Sequence, residues 1–391
     1  MTTRALDELS VALDAREAAG LARRRRVVDS PQRARLTVDG REVLHFGGND
    51  YLGLASDPRL IAAAQRGAAE YGVGAGASHL ISGHFSPHEA LERELADWVA
   101  PGAGARALLF STGYLANLAI VTALCGRGDA VFGDRLNHAC LNDAALLSRA
   151  DFIRYRHGDL TDLSRRLEDS RAKRRLICTD AVFSMDGDIA PLPGLLELAR
   201  AHDAWLVVDD AHGFGVTGDG RGTLTQAGLA SERIVYMGTL GKAAGVAGAF
   251  VAAHPAVIET LLQTARTYVF TTAAPPLLAC ALRTSLEIIR DEPERRERLF
   301  ARIRRFREGS ARLPWRVLAS ETAIQPLIVG DNAEALRVSE ALWQRGFWVP
   351  AIRPPSVPRG SARLRITLSA AHADADVDAL LAALTEAGEA A

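Results

Sequence analysis

From residue 106 the chain alternates short apolar runs with longer stretches of mixed apolar and polar positions. The runs are "ALLF" (107–110), "AVFG" (130–133), "DFIRY" (151–155), "RLICTDAVF" (175–183), "WLVVDDA" (205–211), "IVYMG" (234–238) and "GAFVAA" (248–253). Each is too short for a helix and apolar at successive positions, so both of its faces must be covered. Helical patterns separate the runs. This predicts an α/β architecture, a mostly parallel seven-stranded sheet between helices. Upstream, residues 4–26 read as a charged amphipathic helix, and "RLTVDGREVLHF" (35–46) as a hairpin turning at Asp39-Gly40. Residues 58–71 read as a helix and the glycine-rich "YGVGAGASHLISG" (71–83) as irregular. "SPHEALERELADWVA" reads as a helix capped by Ser86, with Glu89 three residues later. Downstream of 254 a long helical region breaks near Pro293, and from about 315 strands and helices alternate again. The expected division is an N-terminal helix and hairpin segment over 1–48, a large domain over 49–285 and a small α+β domain over 286–391.

Composition changes this picture little. Of 391 residues 48% are apolar and 24% charged, with a net charge of -1, as in ordinary soluble domains. That balance gives no overall field for nucleic acid or an anionic membrane. One local exception is the basic run "ARRRRV" (22–27). Cys125, Cys140, Cys178 and Cys280 are far apart with no CxxC pair, which fits neither a zinc site nor a disulfide framework. No metal is expected. The N-terminus has no apolar secretory core and the chain has no apolar run long enough to span a bilayer, so the expected location is the cytoplasm.

In open α/β sheets ligands bind beyond the carboxyl ends of the strands, which directs attention to the polar residues after each run. "ALLF" leads into Ser111-Thr112-Gly113-Tyr114 and a helix, whose N-terminus offers N–H groups and a positive dipole to an anion. "AVFG" leads to His138, "RLICTDAVF" to Ser184, and "WLVV" to Asp209, Asp210 and His212. Each alone has an ordinary reading: a strand–helix turn, a core histidine, a turn cap, a salt-bridged acid. "IVYMG" leads to Thr239 and to Lys242, a cation among glycines and alanines. A lysine in a tight apolar pocket can lose its proton and become a nucleophilic amine. Pyridoxal phosphate (PLP) needs such a lysine, an acid for its pyridinium nitrogen and a phosphate cradle. Lys242, Asp209 and the turn at 111–114 supply all three from one sheet edge. Two decoys fail: "GTLGKA" lacks P-loop spacing, and "GFGVTG" (213–218) matches a dinucleotide motif but is followed by poor helix material. That disfavours a nicotinamide-binding protein.

At these residues, and across almost the whole chain, the sequence resembles the α-oxoamine synthases, fold-type I PLP-dependent transferases. The resemblance is carried by "NDYLGL", "STGYLAN", "DRLNHA", "FSMDGDIAPL", "VDDAHGFGV", "TLGKAAG" and "AIRPPSVPRGSARLRITLSAAH". It implies that Lys242 binds PLP covalently, that Asp209 pairs with the ring nitrogen and His212 with the phenolic oxygen, and that His138 stacks on the ring. Ser184 bonds the cofactor near that oxygen. Gly113 and Tyr114 cradle the phosphate, helped by Thr239 and by Thr272 of a neighbouring subunit. Asn49 and Arg365 lie by the amino-acid carboxylate, and Arg23 and Ser356 contact the acyl substrate. Arg353 is left open. Within the family the chain looks closest to the member of biotin synthesis that condenses L-alanine with a pimeloyl thioester, on coenzyme A or acyl carrier protein, in a homodimer. His84 after Gly83 discriminates against sister enzymes that use glycine or serine and usually carry threonine there. Asp180 stands where the family commonly has glutamate, so a carboxylate role there is in doubt.

Overall fold

In a computed structural model of the protein, residues 4–389 are described. Contacts divide them into two compact units. One holds Asp50–Ser184 and Asp188–Arg298; the other holds the chain up to Asn49, Met185–Gly187 and the chain from Leu299. The N-terminal segment therefore shares a unit with the C-terminal one.

In this smaller unit the expected hairpin forms: β1 (Arg35–Val38) folds back on β2 (Arg41–His45), with Val38 opposite Arg41. Asp39 and Gly40 take φ of 50° and 74°, as a two-residue hairpin turn demands.

The larger unit is built on β3 (Arg106–Phe110), β4 (Ala130–Asp134), β5 (Asp151–Tyr155), β6 (Arg175–Asp180), β7 (Trp205–Asp209), β8 (Ile234–Thr239) and β9 (Ala249–Ala253). All seven apolar runs are strands. Their order is β3-β9-β8-β7-β6-β4-β5, and only β9 runs antiparallel to its neighbours. Alternate residues Leu108, Val131, Leu176, Val207, Val235 and Val251 join one core with the helices Gly113–Leu124 and Ala139–Ser148. Those between them, such as Phe132, Ile177, Leu206, Tyr236 and Phe250, are equally buried. Both faces are covered, which is why the runs are apolar throughout. β6 and β7 stop at Asp180 and Asp209, which lie side by side in the register.

The smaller unit adds β10 (Arg316–Val317), β11 (Ile324–Gly330), β12 (Phe347–Trp348), β13 (Ala351–Ile352) and β14 (Ala362–Thr367). β10, β11, β14 and β13 form an antiparallel sheet, and β12 extends the hairpin alongside β2. The long helical region splits into Pro276–Asp291 and Pro293–Ser310. Among the described residues no helix is long and apolar enough to cross a membrane.

Two local expectations are corrected. The first helix runs only over Arg4–Ala18. Gly20, at φ 64°, closes it, with the Gly20 and Leu21 N–H groups returning to the Glu17 and Arg16 carbonyls, a C-terminal glycine stop. Ser86 is not a cap but the first residue of the helix Ser86–Val99. The buried His88 side chain accepts the Phe85 N–H at 3.1 Å, while Glu89 turns outward to Arg93.

Candidate active site

The carboxyl ends of β3, β4, β6, β7 and β8 open on a cavity of about 200 Å³. It is lined by Gly113, Tyr114, His138, Ser184, Asp209, His212, Thr239 and Lys242, so eight of the residues expected at the cofactor meet in one place.

Lys242 owes its position to glycines. The chain leaves β8 through Gly241 and returns at Gly245, whose φ of 73° and close approach to Leu54 and Ala55 (2.6 Å from an added Cβ) exclude a side chain. Lys242 itself is half-buried. Its Nζ lies 2.9 Å from His212 Nε2, and His212 Nδ1 lies 2.6 Å from the hydroxyl of buried Tyr51. With Nζ donating to Nε2, the ring proton sits on Nδ1 and points at the Tyr51 oxygen. The cation that looked out of place thus heads a chain of three exchangeable groups.

Asp209, 5% exposed, accepts the Asn117 amide at 2.7 Å and the Ala211 N–H at 3.0 Å. These two donors fix the orientation of the carboxylate in the cavity. Its neighbour Asp210 is wholly buried and makes no ion pair among the described residues. Instead it accepts the Thr223 N–H and hydroxyl, each at 2.6 Å, and the Tyr236 hydroxyl at 3.0 Å. Burial still pushes its pKa up to about 7. Asp210 clamps the turn that carries His212. A Cβ on Gly213 would sit 2.0 Å from Asp210 Oδ1. The glycines of "GFGVTG" serve this clamp and a tight turn, not a dinucleotide.

His138 caps the helix Ala139–Ser148. Its ring is open to the cavity, with Nδ1 2.8 Å from Cys140 Sγ. Loss of surrounding water lowers its pKa, assisted by the Lys242 cation, although the Asp209 charge opposes this. The ring is therefore neutral and able to lie flat on an aromatic ligand. Gly113 and Tyr114 open the helix Gly113–Leu124, whose first N–H groups have no partner within the helix. Thr112 caps it by accepting the Leu115 N–H. This is a ready anion cradle. The amine, buried acid, flat neutral ring and cradle fit PLP.

Not every expected residue lines this cavity. Thr272 is exposed in the loop before Pro276–Asp291, where the Ala273 N–H bonds the Ala77 carbonyl. Of the five residues expected at the substrate, His138 lines the cavity, while Arg23, Asn49, Ser356 and Arg365 belong to the smaller unit. There Arg365, 6% exposed on β14, reaches Asn49 Oδ1 at 3.3 Å, so these two do come together. Arg23 and Ser356 are exposed. Arg353 finds a role: its guanidinium bonds the Gly20 and Ala22 carbonyls and straps down the segment that carries Arg23. Burial and the Arg23 charge lower its pKa.

Sequence reasoning missed Tyr51, Asn117 and Cys140. Asn117 sits one helical turn after Gly113 on the same face, a spacing that could have pointed to it. Tyr51 and Cys140 gave no such signal.

The chain belongs to the aminotransferase class I and II family, whose model matches residues 41–384. Several curated relatives are all 8-amino-7-oxononanoate synthases. That of Nitrosomonas europaea is 60% identical, covering 97% of this chain and 99% of its own. That of Thiobacillus denitrificans is 59% identical, covering 99% and 100%. Among solved structures, serine palmitoyltransferase of Sphingomonas wittichii superposes with a TM-score of 0.92 at 32% identity, covering 99% of this chain and 98% of its own. An 8-amino-7-oxononanoate synthase from Francisella tularensis gives a TM-score of 0.76 at 29% identity, covering 88% and 97%. The S. paucimobilis serine palmitoyltransferase, solved with PLP and myriocin, gives 0.91 at 31% identity, covering 98% and 97%.

Proposed function

We propose that this chain condenses L-alanine with a pimeloyl thioester, releasing carbon dioxide and the thiol carrier and forming 8-amino-7-oxononanoate for biotin synthesis, with PLP as cofactor. One observation carries the reading: the Lys242 amine, the buried Asp209 carboxylate and a helix N-terminus face a single cavity. Relatives near 60% identity over the full chain favour alanine and pimelate over the serine and palmitate of the structural neighbour at 32%.

Bound PLP supplies an electron sink for the pair left when the alanine Cα–H bond breaks. Lys242 Nζ takes that proton as general base, and His212 and Tyr51 beyond it hold the amine in place. Asp209, fixed by Asn117, keeps a proton on the ring nitrogen. His138 covers the ring face, and Ser184 and His212 orient its phenolic edge. Gly113, Tyr114 and Thr239 hold the phosphate. We assign Thr272 to the phosphate of a second subunit in a homodimer; its exposure, away from its own chain's cavity, supports this. Asn49 and Arg365 hold the alanine carboxylate: a buried guanidinium already fixed by an amide is preorganised for a paired contact. Arg23 and Ser356 take the acyl substrate, with the pimelate carboxylate on Arg23. Cytoplasmic residence accords with such chemistry. The test is thiol release from pimeloyl-CoA by PLP-loaded protein given L-alanine, glycine or L-serine. Release with alanine alone is expected; release only with glycine or serine overturns the substrate assignment.

A further inference from the structure

Asp180 and Asp209 end adjacent strands and face each other in the register. They are 4% and 5% exposed, and both line the cofactor cavity. Their surroundings are unequal. Asp209 receives the Asn117 amide and the Ala211 N–H. Asp180 receives one donor, the His138 N–H on Oδ2 at 2.9 Å, and its Oδ1 is buried with no hydrogen-bond partner among the described residues. Two like charges cannot both be held so close and so dry. The better-solvated acid keeps the charge and the other keeps a proton, as in carboxyl pairs whose surroundings drive them apart.

We propose that Asp180 is a neutral carboxylic acid whose Oδ1 carries the proton, so that the pair's one negative charge is confined to Asp209, and that its Oδ2 is the positioning contact for His138. Its other neighbours agree. Burial, then the Asp209 charge, drives the Asp180 pKa far up, and Asp134 adds to this while the Lys242 cation opposes it. Tyr155 and Cys140, also close, stay un-ionised because burial raises both. The assignment settles the departure from glutamate: this position needs an acceptor for one N–H and no charge, so a short acid suffices. Confining the charge to Asp209 puts it at the residue assigned to the pyridine nitrogen, and in that respect the inference rests on the cofactor reading.

The test is infrared difference spectroscopy of the full-length protein at neutral pH, wild type minus Asp180→Asn, with and without PLP. Loss of an un-ionised carboxyl stretch is expected; loss of an ionised carboxylate band overturns the proposal. The PLP-free spectrum stands whatever reaction the protein catalyses. Should Asp180→Asn not fold, Asp180→Ser removes the same acid and gives the same readout. PLP affinity checks the positioning contact. Asp180→Ala strands a buried N–H and is expected to weaken binding about tenfold or more, whereas Asp180→Asn keeps an acceptor and weakens it less. Equal weakening by the two overturns the contact.

Discussion

His157 is the most testable electrostatic element of the larger unit. Its ring lies between two carboxylates, Nδ1 3.0 Å from Asp134 and Nε2 2.8 Å from Asp188, with its edge on Phe183. Asp134 ends β4, just before the turn to His138, and Asp188 closes the loop after Ser184. Burial works against the imidazolium, but the two hydrogen bonds and the two negative charges outweigh it and hold its pKa at about 10. Against an ordinary value near 6.5, that difference is worth at most about 5 kcal/mol below pH 6.5. Nearly a third of the side chain still meets water (31%), and screening reduces the figure to about 2–3 kcal/mol. Replacing His157 with Gln keeps a polar side chain and removes the charge. A raised pKa fixes the direction: the contribution is complete below about pH 6.5 and disappears as pH climbs to about 10. Urea unfolding of both proteins at pH 6, 8 and 10, at equal m-values, reads it. The gap between wild type and His157→Gln is expected to be largest at pH 6 and to close by pH 10. A gap that stays constant, or widens with pH, refutes the charged clamp.

Two further outcomes follow from the site. Lys242→Ala is expected to abolish turnover while still binding PLP, and borohydride is expected to leave the cofactor's mass on the wild-type chain only; intact mass spectrometry reads both. Gly213→Ala forces a methyl onto Asp210 Oδ1 and to 2.2 Å from the Thr223 hydroxyl. Overpacking of this kind costs about 1–3 kcal/mol, so a thermal melt lowered by several degrees is expected, with weaker PLP binding because the His212 turn moves. An unshifted melt would show that the turn is not clamped by Asp210.

The sheet and most of the cofactor site were legible because both are written locally. A strand covered on both faces must be apolar at every position, and a ligand at strand ends must be met by the first polar residues after each run. Lys242 was conspicuous for the same reason: a cation among small residues contradicts its surroundings. What stayed hidden depends on residues far apart in the chain. Tyr51 reaches His212 across 161 positions, and nothing around "NDYLGL" marks its hydroxyl. The Ser86 cap was misread because Ser and Glu spacing fits a capping box, while His88, one turn into the helix, took the N–H instead. The first helix was drawn too long because Gly20 was read as part of an amphipathic pattern, not as its stop. That Asn49 and Arg365 meet could not follow from spacing, since β14 and the segment after β2 are joined only by folding.

The acids at the strand ends show how one sheet edge makes different tools from one residue type. Asp209 is held by an amide and a main-chain N–H at the cavity. Asp210, one residue on, points the other way along the strand, meets only hydroxyls and an N–H, and is spent on holding a turn. Asp134 shares a histidine cation with Asp188. Asp180, between Asp134 and Asp209 in the sheet, has a single donor to its side chain among the described residues, and the Lys242 cation only partly offsets its burial. With charge already fixed on one side of it, neutrality is the least costly state left.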